Sequence, residues 1–204
     1  MDRKKKALLI GLVLGDGHLN PRSGVCLEIT HSVKQKSYIE NKAKLIAKLL
    51  NCKIPNLYHR KDDKHDEYKL SKGHRYFRIL YKWLYPNGKK YFSKKILKYI
   101  TPETVALWWM DDGSHSIDRN KKTGNITAHS FYLYTYTSLE ETENIIEVFK
   151  EKFDITFGKI RKTMKDGSIK YYLKCRTKEG RKLSNLIRKF VLPSLQYKIM
   201  QEGE

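Results

Sequence analysis

LLIGLVLGDGHLN, residues 8–20, and TVALWWMDDGSHS, residues 104–116, are two versions of one pattern. In each, an uninterrupted apolar run ends in an acidic residue and a glycine: Asp16 with Gly17, then Asp112 with Gly113. Each run is too short to cross a membrane and predicts a buried helix of about two to three turns. Each glycine is expected to take the left-handed conformation that commonly ends a helix.

Each carboxylate is therefore predicted at the C-terminal end of a helix. This is an unfavourable place for an acid, because the helix dipole leaves partial negative charge there and the last carbonyls lack intrahelical partners. A divalent cation removes the conflict, since carboxylate and carbonyl oxygens form the hard oxygen site that Mg²⁺ prefers. The spacing places one such site in each half of the chain, which indicates a duplicated unit.

Composition indicates a globular protein with a polyanionic partner. The chain has 204 residues, 40% of them apolar, and a net charge of +20. Basic residues outnumber acidic ones 24 to 8 in residues 1–100 and 18 to 14 in residues 101–204. Such an excess points most simply to nucleic acid. An anionic membrane surface is disfavoured, because the sequence contains no long basic amphipathic helix with an aromatic face.

The cysteines and the N-terminus bear on the compartment. Cys26, Cys52 and Cys175 form no CxxC pair, which argues against both a zinc site and a disulfide framework and favours a reducing, intracellular location. The N-terminal basic and apolar segments lack a small-residue cleavage site, and the apolar part carries Asp16, so we do not expect secretion. Lysine outnumbers arginine 32 to 10, a hint of an AT-rich genome, and we expect an organelle (mitochondrion or chloroplast) or a prokaryotic cytoplasm.

The order of predicted elements repeats after each motif. The first half has a strand at 24–32, a helix at 35–51, two strands around a turn at 56–74 and a helix at 75–85. The second half has a strand at 125–137, a helix at 138–153, a hairpin around 165–167 and a helix at 179–192. Ser138 with Glu141 predicts a capping box, and Asp166-Gly167 predicts a hairpin turn. We expect an α+β fold of two αββαββα halves, 1–86 and 102–204, joined by a connector at 87–101.

At LIGLVLGDG (9–17) and VALWWMDDG (105–113) the chain resembles LAGLIDADG homing endonucleases of the single-chain, two-motif branch. The continued order of elements extends the resemblance over essentially the whole chain. The resemblance implies two pseudo-twofold-related halves, with the motif helices side by side and each half contributing an antiparallel sheet to a DNA-binding saddle. It implies an intron-encoded nuclease that acts as a monomer on a long non-palindromic double-stranded DNA target.

The same resemblance implies a catalytic centre that uses two or three Mg²⁺ ions at the interface of the motif helices. Hydrolysis of a phosphodiester needs metal to activate water and to stabilise the leaving oxygen. Related enzymes also carry a basic residue near each acid. The catalytic candidates are Asp16, Asp112, Lys90 and Lys198, with Lys89 a close rival of Lys90, and the metal ligands are Asp16, Asp112 and the backbone carbonyls of Gly15 and Asp111. Asp111 is also a candidate third ligand, and an exposed cap or an ion-pair partner is the favoured alternative for it.

Basic side chains at outward positions of the predicted strands and their loops are the DNA-binding candidates. Arginine can bind guanine bidentately, whereas lysine more often contacts phosphate. The candidates are Arg22, Lys34, Arg60, Lys69 and Lys72 in the first half, and Arg119, Lys121, Arg161, Lys170 and Lys174 in the second. Trp108 and Trp109 lie within an apolar helix and are predicted to be core residues. Asp62, Asp63 and Asp66 lack the glycine and glutamate of a calcium loop and predict an exposed hairpin tip.

Two other functions remain open on the sequence. One is an RNA maturase that binds a group I intron RNA on the same fold and assists its splicing. The other is a DNA-binding regulator without enzymatic activity. Metal-dependent cutting of DNA separates the nuclease from the regulator.

Overall fold

The computed structural model describes residues 2–22 and 24–201, and the chain divides into two compact units, Met1–Lys90 and Tyr91–Glu204. The first unit contains α1 (Arg3–Leu14), β1 (His18–Asn20), β2 (Cys26–Ser32), α2 (Lys36–Leu50), β3 (Leu57–Lys61), β4 (Asp66–Gly73) and α3 (Arg75–Leu84). The second contains α4 (Lys94–Leu97), α5 (Pro102–Asp112), β5 (Gly113–Arg119), β6 (Ile126–Thr137), α6 (Leu139–Phe153), β7 (Gly158–Thr163), β8 (Ile169–Arg176) and α7 (Thr177–Ile187). Short 3₁₀ helices occupy Val33–Gln35, Arg188–Phe190 and Pro193–Lys198.

Each unit is built on one four-stranded antiparallel sheet. The strand orders are β1-β2-β4-β3 and β5-β6-β8-β7, so the second strand of each hairpin lies at the centre of its sheet. From α1 and from α5 onward both units follow the order αββαββα. The predicted α+β class and the repeated order of elements are confirmed.

The two motif helices are the most deeply buried elements of their units. Every residue from 7 to 14 in α1 and from 104 to 110 in α5 is buried. Trp108 and Trp109 are 0% and 1% exposed, which confirms their prediction as core residues. The ring of Trp108 stacks on Phe92 with centroids 5.5 Å apart, and that of Trp109 lies 6.2 Å from Phe131. The apolar runs therefore anchor each unit and leave polar groups only at the helix ends.

Local signals in the sequence set several boundaries correctly. Ser138 and Glu141 form the predicted capping box at the start of α6. Gly167 has a φ of +80° in the tight turn between β7 and β8, as the Asp-Gly dipeptide predicted. The exposed tip predicted at Asp62 is the turn between β3 and β4, where its carboxylate accepts a hydrogen bond from the backbone of Lys64.

The left-handed conformation predicted for the motif glycines is wrong. Neither Gly17 nor Gly113 has a positive φ. The glycines are required instead by close approach, because a Cβ on Gly17 would lie 2.1 Å from the carbonyl oxygen of Leu12. A Cβ on Gly113 would lie 2.3 Å from the indole ring of Trp109. Gly17 donates its N–H to that same Leu12 oxygen at 3.0 Å, so the chain folds back tightly over the end of α1.

Four elements differ from the sequence-based expectation. Strands β1 and β5 were not separately predicted, because β1 has only three residues and β5 consists mostly of polar residues without an apolar alternation. The single-turn helix α4 lies within the predicted connector. The helix predicted to end at residue 192 ends as an α-helix at Ile187 and continues as a 3₁₀ turn. In the parts of the chain that the structure describes, the helices fall short of the length and apolar character that spanning a membrane requires.

Replacing Gly113 by alanine tests the close approach. We expect Gly113→Ala to lower the free energy of unfolding by about 1–3 kcal/mol, because the added methyl group overpacks against Trp109. Gly158→Ala is the matched control, since its Cβ would meet its nearest neighbour, the Lys174 carbonyl, at an ordinary 3.7 Å. Urea titration followed by tryptophan fluorescence measures both. Equal unfolding midpoints for Gly113→Ala and the wild type would contradict the packing argument.

Candidate functional site

The first acidic centre lies where α1 ends and the chain turns into β1. Gly15 caps the helix by donating its N–H to the carbonyl of Gly11, and Asp16 follows two residues after the last helical residue. The Asp16 side chain is 40% exposed, and its Oδ2 lies 3.7 Å from Nδ1 of His31 on β2. The buried helix and the glycine turn thus hold one partly exposed carboxylate at a defined place.

A lysine occupies the helix end beside Asp16. Lys90 donates from Nζ to the backbone carbonyl of Gly15 at 2.9 Å. A cation at this position is stabilised by the negative end of the helix dipole. The neighbouring Lys89 is exposed. Lys90 therefore is the lysine of this pair that contacts the acidic centre.

The second acidic centre has the same construction. Helix α5 extends through Asp112, whose Oδ2 accepts a hydrogen bond from Nε1 of Trp108 at 3.1 Å. Lys198 donates from Nζ to the carbonyls of Met110 and Asp111 at 2.7 and 3.1 Å. The backbone carbonyl of Lys198 in turn accepts from Nε1 of Trp109 at 2.9 Å. The two tryptophans of the motif therefore fix both the acid and the lysine.

In both units a lysine binds the backbone carbonyl of the residue that directly precedes the motif aspartate. This carbonyl belongs to Gly15 in the first unit and to Asp111 in the second. The lysines reach it from different distances along the sequence, one just after α3 and the other at the end of the 3₁₀ helix Pro193–Lys198. The same local geometry is therefore assembled twice from unequal connecting segments.

The donor groups at each centre suit a hard divalent cation. Each centre offers one carboxylate and backbone carbonyl oxygens, the ligand types that Mg²⁺ prefers, and Mg²⁺ usually completes its shell with waters and substrate phosphate. The carbonyls of Gly15 and Asp111 already accept from a lysine, although a carbonyl oxygen carries a second lone pair. Asp16 and Asp112 are accordingly the better ligand candidates of the four groups.

The outer face of the second sheet, defined as the face opposite the buried Phe131 and Leu133, carries a cluster of tyrosines. Their rings follow one another along β6, with centroids 5.9 and 6.0 Å apart, and Tyr172 on β8 packs beside them. Nζ of Lys174 lies 5.0 Å from the ring centroid of Tyr132. Burial first, and then the neighbouring phenols, raises the pKa of the Tyr134 hydroxyl. The tyrosine cluster consists of Tyr132, Tyr134, Tyr136 and Tyr172.

The corresponding face of the first sheet is more polar. Tyr58 is 68% exposed on β3 and pairs in register with Lys69 on β4. Lys69 forms an ion pair with Glu28 at 3.0 Å. Burial raises the pKa of the Glu28 carboxyl, but the hydrogen bond and charge of Lys69 outweigh it, and the net pKa is lowered. The two sheets therefore present different chemistry on their outer faces.

The ten basic residues predicted to bind DNA fall into three groups. Strand register places four of them, Arg60, Lys69, Lys170 and Lys174, on outer faces. Arg22, Lys34, Arg119 and Lys121 are exposed at strand ends, in a turn or in a 3₁₀ helix. Lys72 lies on the same face of its sheet as the buried Leu27, and Arg161 on the same face as the buried Leu173. Both were predicted at outward positions, and the structure contradicts that position.

Sequence reasoning missed His31, Lys42 and the tyrosine cluster. The tyrosines follow every second residue in FYLYTYT, a signal that alternation could have supplied. Lys42 lies three residues after Ile39 and four before Ile46, so helical spacing puts it on the apolar stripe of α2. His31 carries no comparable signal, because only the register of β2 brings it beside Asp16.

Comparison with known proteins identifies the class to which this fold and these centres belong. Residues 6–183 match the model of the LAGLIDADG DNA endonuclease family. The chain therefore belongs to the LAGLIDADG family.

The chain is similar in sequence to an intron-encoded endonuclease and to part of a RecA protein. It is 27% identical over 207 residues to the probable intron-encoded endonuclease 1 of Wickerhamomyces canadensis, covering 98% of this chain and 85% of the relative. It is 27% identical over 204 residues to protein RecA of Mycolicibacterium flavescens, covering 95% of this chain. The chain spans only 45% of the length of that RecA relative.

Solved structures share the fold. The homing endonuclease I-WcaI bound to its DNA recognition sequence superposes with a TM-score of 0.76 at 26% identity, covering 98% of this chain and 87% of that one. A variant of the homing endonuclease I-DmoI, solved with its target DNA in the presence of Mg, has a TM-score of 0.54 at 15% identity and covers 91% of this chain and 96% of that one. At that identity the second structure supports the fold alone.

Proposed function

We propose that this protein is a site-specific endonuclease that cuts both strands of a long, non-palindromic DNA duplex by metal-dependent phosphodiester hydrolysis. The observation that carries the proposal is the acidic centre built twice, each with a motif aspartate and a lysine on the preceding carbonyl. One centre per strand provides the chemistry for a double-strand cut. Membership of the LAGLIDADG family and the net charge of +20 support the same conclusion.

Asp16 and Asp112 would hold Mg²⁺. When bound, this ion lowers the pKa of the attacking water and stabilises the leaving 3′ oxygen. Lys90 and Lys198 keep a positive charge beside each carboxylate, where it favours the negative charge that develops on the phosphate in the transition state. The buried indoles of Trp108 and Trp109 hold the second centre in place and so reduce the reorganisation that catalysis requires.

The two sheets would bind the DNA through their outer faces. Among the residues that the structure describes, the outer face of the first sheet carries no cluster of tyrosines like that of the second, so the two faces favour two different half-sites. A single chain with two unlike reading surfaces suits a non-palindromic target and action as a monomer. The proposal includes that an intron encodes this chain. The name of the relative from Wickerhamomyces canadensis says this of that relative.

Removing either carboxylate tests the nuclease. We expect Asp16→Asn and Asp112→Asn each to abolish double-strand cleavage while leaving DNA affinity nearly unchanged, because each removes a metal ligand and no base contact. Asparagine keeps an oxygen that can accept from Trp108, so the fold around position 112 is preserved. Plasmid cleavage with Mg²⁺ and gel-shift titration with Ca²⁺ measure the two quantities.

Asp63→Asn, at the exposed hairpin tip, is the matched control and should cut like the wild type. Complete double-strand cutting by Asp16→Asn or Asp112→Asn would remove the central residues of the proposal.

Lys90 and its neighbour provide a second test. Lys90→Ala and Lys198→Ala should slow cleavage strongly with little loss of affinity, because a charge that acts on the transition state contributes to the rate and not to ground-state binding. Lys89→Ala is the control and should be near neutral. Single-turnover rates under saturating protein measure the effect. Slow cleavage by Lys89→Ala together with normal cleavage by Lys90→Ala would show that Lys89, and not Lys90, has this role.

The tyrosine cluster predicts a preference for thymine in one half-site. Aromatic side chains in the major groove contact the thymine methyl group, and each buried methyl is worth about 0.8 kcal/mol. Replacing thymine by deoxyuridine in that half-site should therefore weaken binding by the wild type, and Tyr134→Ala should lose this discrimination. Tyr197→Ala, 65% exposed and outside the sheets, is the control. Competition binding with the thymine duplex and the deoxyuridine duplex measures this discrimination. Equal affinity of the wild type for both duplexes would contradict the contact with the thymine methyl group.

A further inference from the structure

An acidic and a basic side chain are in contact at the middle of the outer face of the first sheet. Glu28 lies on β2 and Lys69 on β4, which are the two central strands of that sheet. The strand register makes them diagonal neighbours on the face opposite the buried Leu27 and Leu70. Nζ of Lys69 lies 3.0 Å from Oε2 of Glu28. An ion pair therefore lies at the centre of a face that the proposed function turns toward DNA.

The Glu28 carboxylate is held in place from two sides. Its Oε1 accepts a hydrogen bond from Nδ2 of Asn20 on β1 at 3.2 Å, and Lys69 contacts the other oxygen. Burial raises the pKa of the Glu28 carboxyl, but the contacts with Lys69 and Asn20 outweigh it, and the net pKa is lowered. A carboxylate has about four lone-pair sites, so two donors leave it the capacity to accept more hydrogen bonds.

The two side chains suit different groups of a DNA duplex. Phosphates repel a negative charge, so Glu28 is unsuited to a contact with the DNA backbone. In the major groove a carboxylate can accept only from amino groups, which cytosine and adenine carry. An ammonium has three N–H donors, of which the contact with Glu28 uses one, and it can donate to the keto oxygen of guanine or thymine.

The ion pair also matches the spacing of these groups in a base pair. In each Watson–Crick pair an amino group and a keto oxygen are hydrogen bonded to each other, about 2.9 Å apart, and both also face the major groove. Glu28 and Lys69 present an acceptor and a donor at nearly the same separation, 3.0 Å, and in a fixed order. A base pair in the opposite orientation would place its keto oxygen against the carboxylate and its amino group against the ammonium, and both contacts would be repulsive.

We propose that Glu28 and Lys69 together read one position of the target DNA, where they select an amino base, adenine or cytosine, over a keto base, guanine or thymine, on one strand. The inference rests on the proposed function, which places DNA on this face. It gives Lys69 a role in reading sequence, whereas a lysine without an acidic partner more often contacts phosphate.

Selection of bound duplexes from a randomised library in Ca²⁺ tests the pair by binding alone. At one position of one half-site, the wild type should favour adenine and cytosine over guanine and thymine by about 5- to 150-fold. Glu28→Gln should lose this preference at that position and keep the rest of the consensus, because an amide can present either a donor or an acceptor. It should also bind random duplex more tightly, since a charge that repels phosphate has been removed.

Exchanging the two residues tests the order of acceptor and donor. The double variant Glu28→Lys/Lys69→Glu keeps an ion pair between the same two strands and reverses that order. The bases selected at this position should therefore change from adenine and cytosine to guanine and thymine. Glu40→Gln, on α2 and outside the sheet, is the matched control for the loss of one carboxylate and should give the wild-type consensus.

The consensus sequences distinguish reading of the base from a purely structural role. If Glu28→Gln and the exchange both leave the base preference unchanged at every position, Glu28 only holds Lys69 in place and the proposal is wrong, even where target affinity falls. An enriched wild-type consensus without a position that favours amino bases would contradict the reading pair and leave the proposed function intact. If the wild type enriches no sequence, the proposed function fails and the reading pair fails with it.

Discussion

The end of each motif helix is the constraint on which the rest of the structure depends. A buried apolar helix must end with carbonyls that lack intrahelical partners, and here an aspartate follows at the same place. A lysine ammonium on the carbonyl before the aspartate satisfies one of these groups and offsets the negative charge. The glycine after the aspartate lets the chain fold back closely enough to enter the sheet. The acid, the basic residue and the first strand of each unit are thereby placed by a single turn of backbone.

Much of the fold follows from patterns that act over a few residues. The capping box at Ser138, the tight turn at Gly167 and the helical spacing in α2 and α6 are local, and sequence reasoning located them. Strands β1 and β5 were not found, since their pairing comes from the neighbouring strand and not from their own composition. The motif glycines were found for the wrong reason, because whether a glycine serves a positive φ or a close contact depends on atoms elsewhere in the fold.

The candidate site likewise contains residues that the sequence predicted and residues that it did not. The motif and the resemblance supplied Asp16, Asp112, Lys90 and Lys198. In the structure each lysine donates to the backbone carbonyl of the residue that precedes its aspartate. Their catalytic roles stay predictions. His31 and Lys42 were not foreseen, because the contact between them joins a strand to a helix through ring and side-chain positions that no sequence period encodes. The faces occupied by Lys72 and Arg161 likewise needed the strand register, which a shift of one residue reverses.

The most direct measurement is selection of cleaved molecules from a randomised duplex library incubated with the protein and Mg²⁺. We expect one enriched, non-palindromic consensus with a cut on each strand, lost when the metal is chelated. The absence of enriched cut ends, together with tighter binding to a folded intron RNA than to any duplex, would contradict the nuclease function and favour the maturase function.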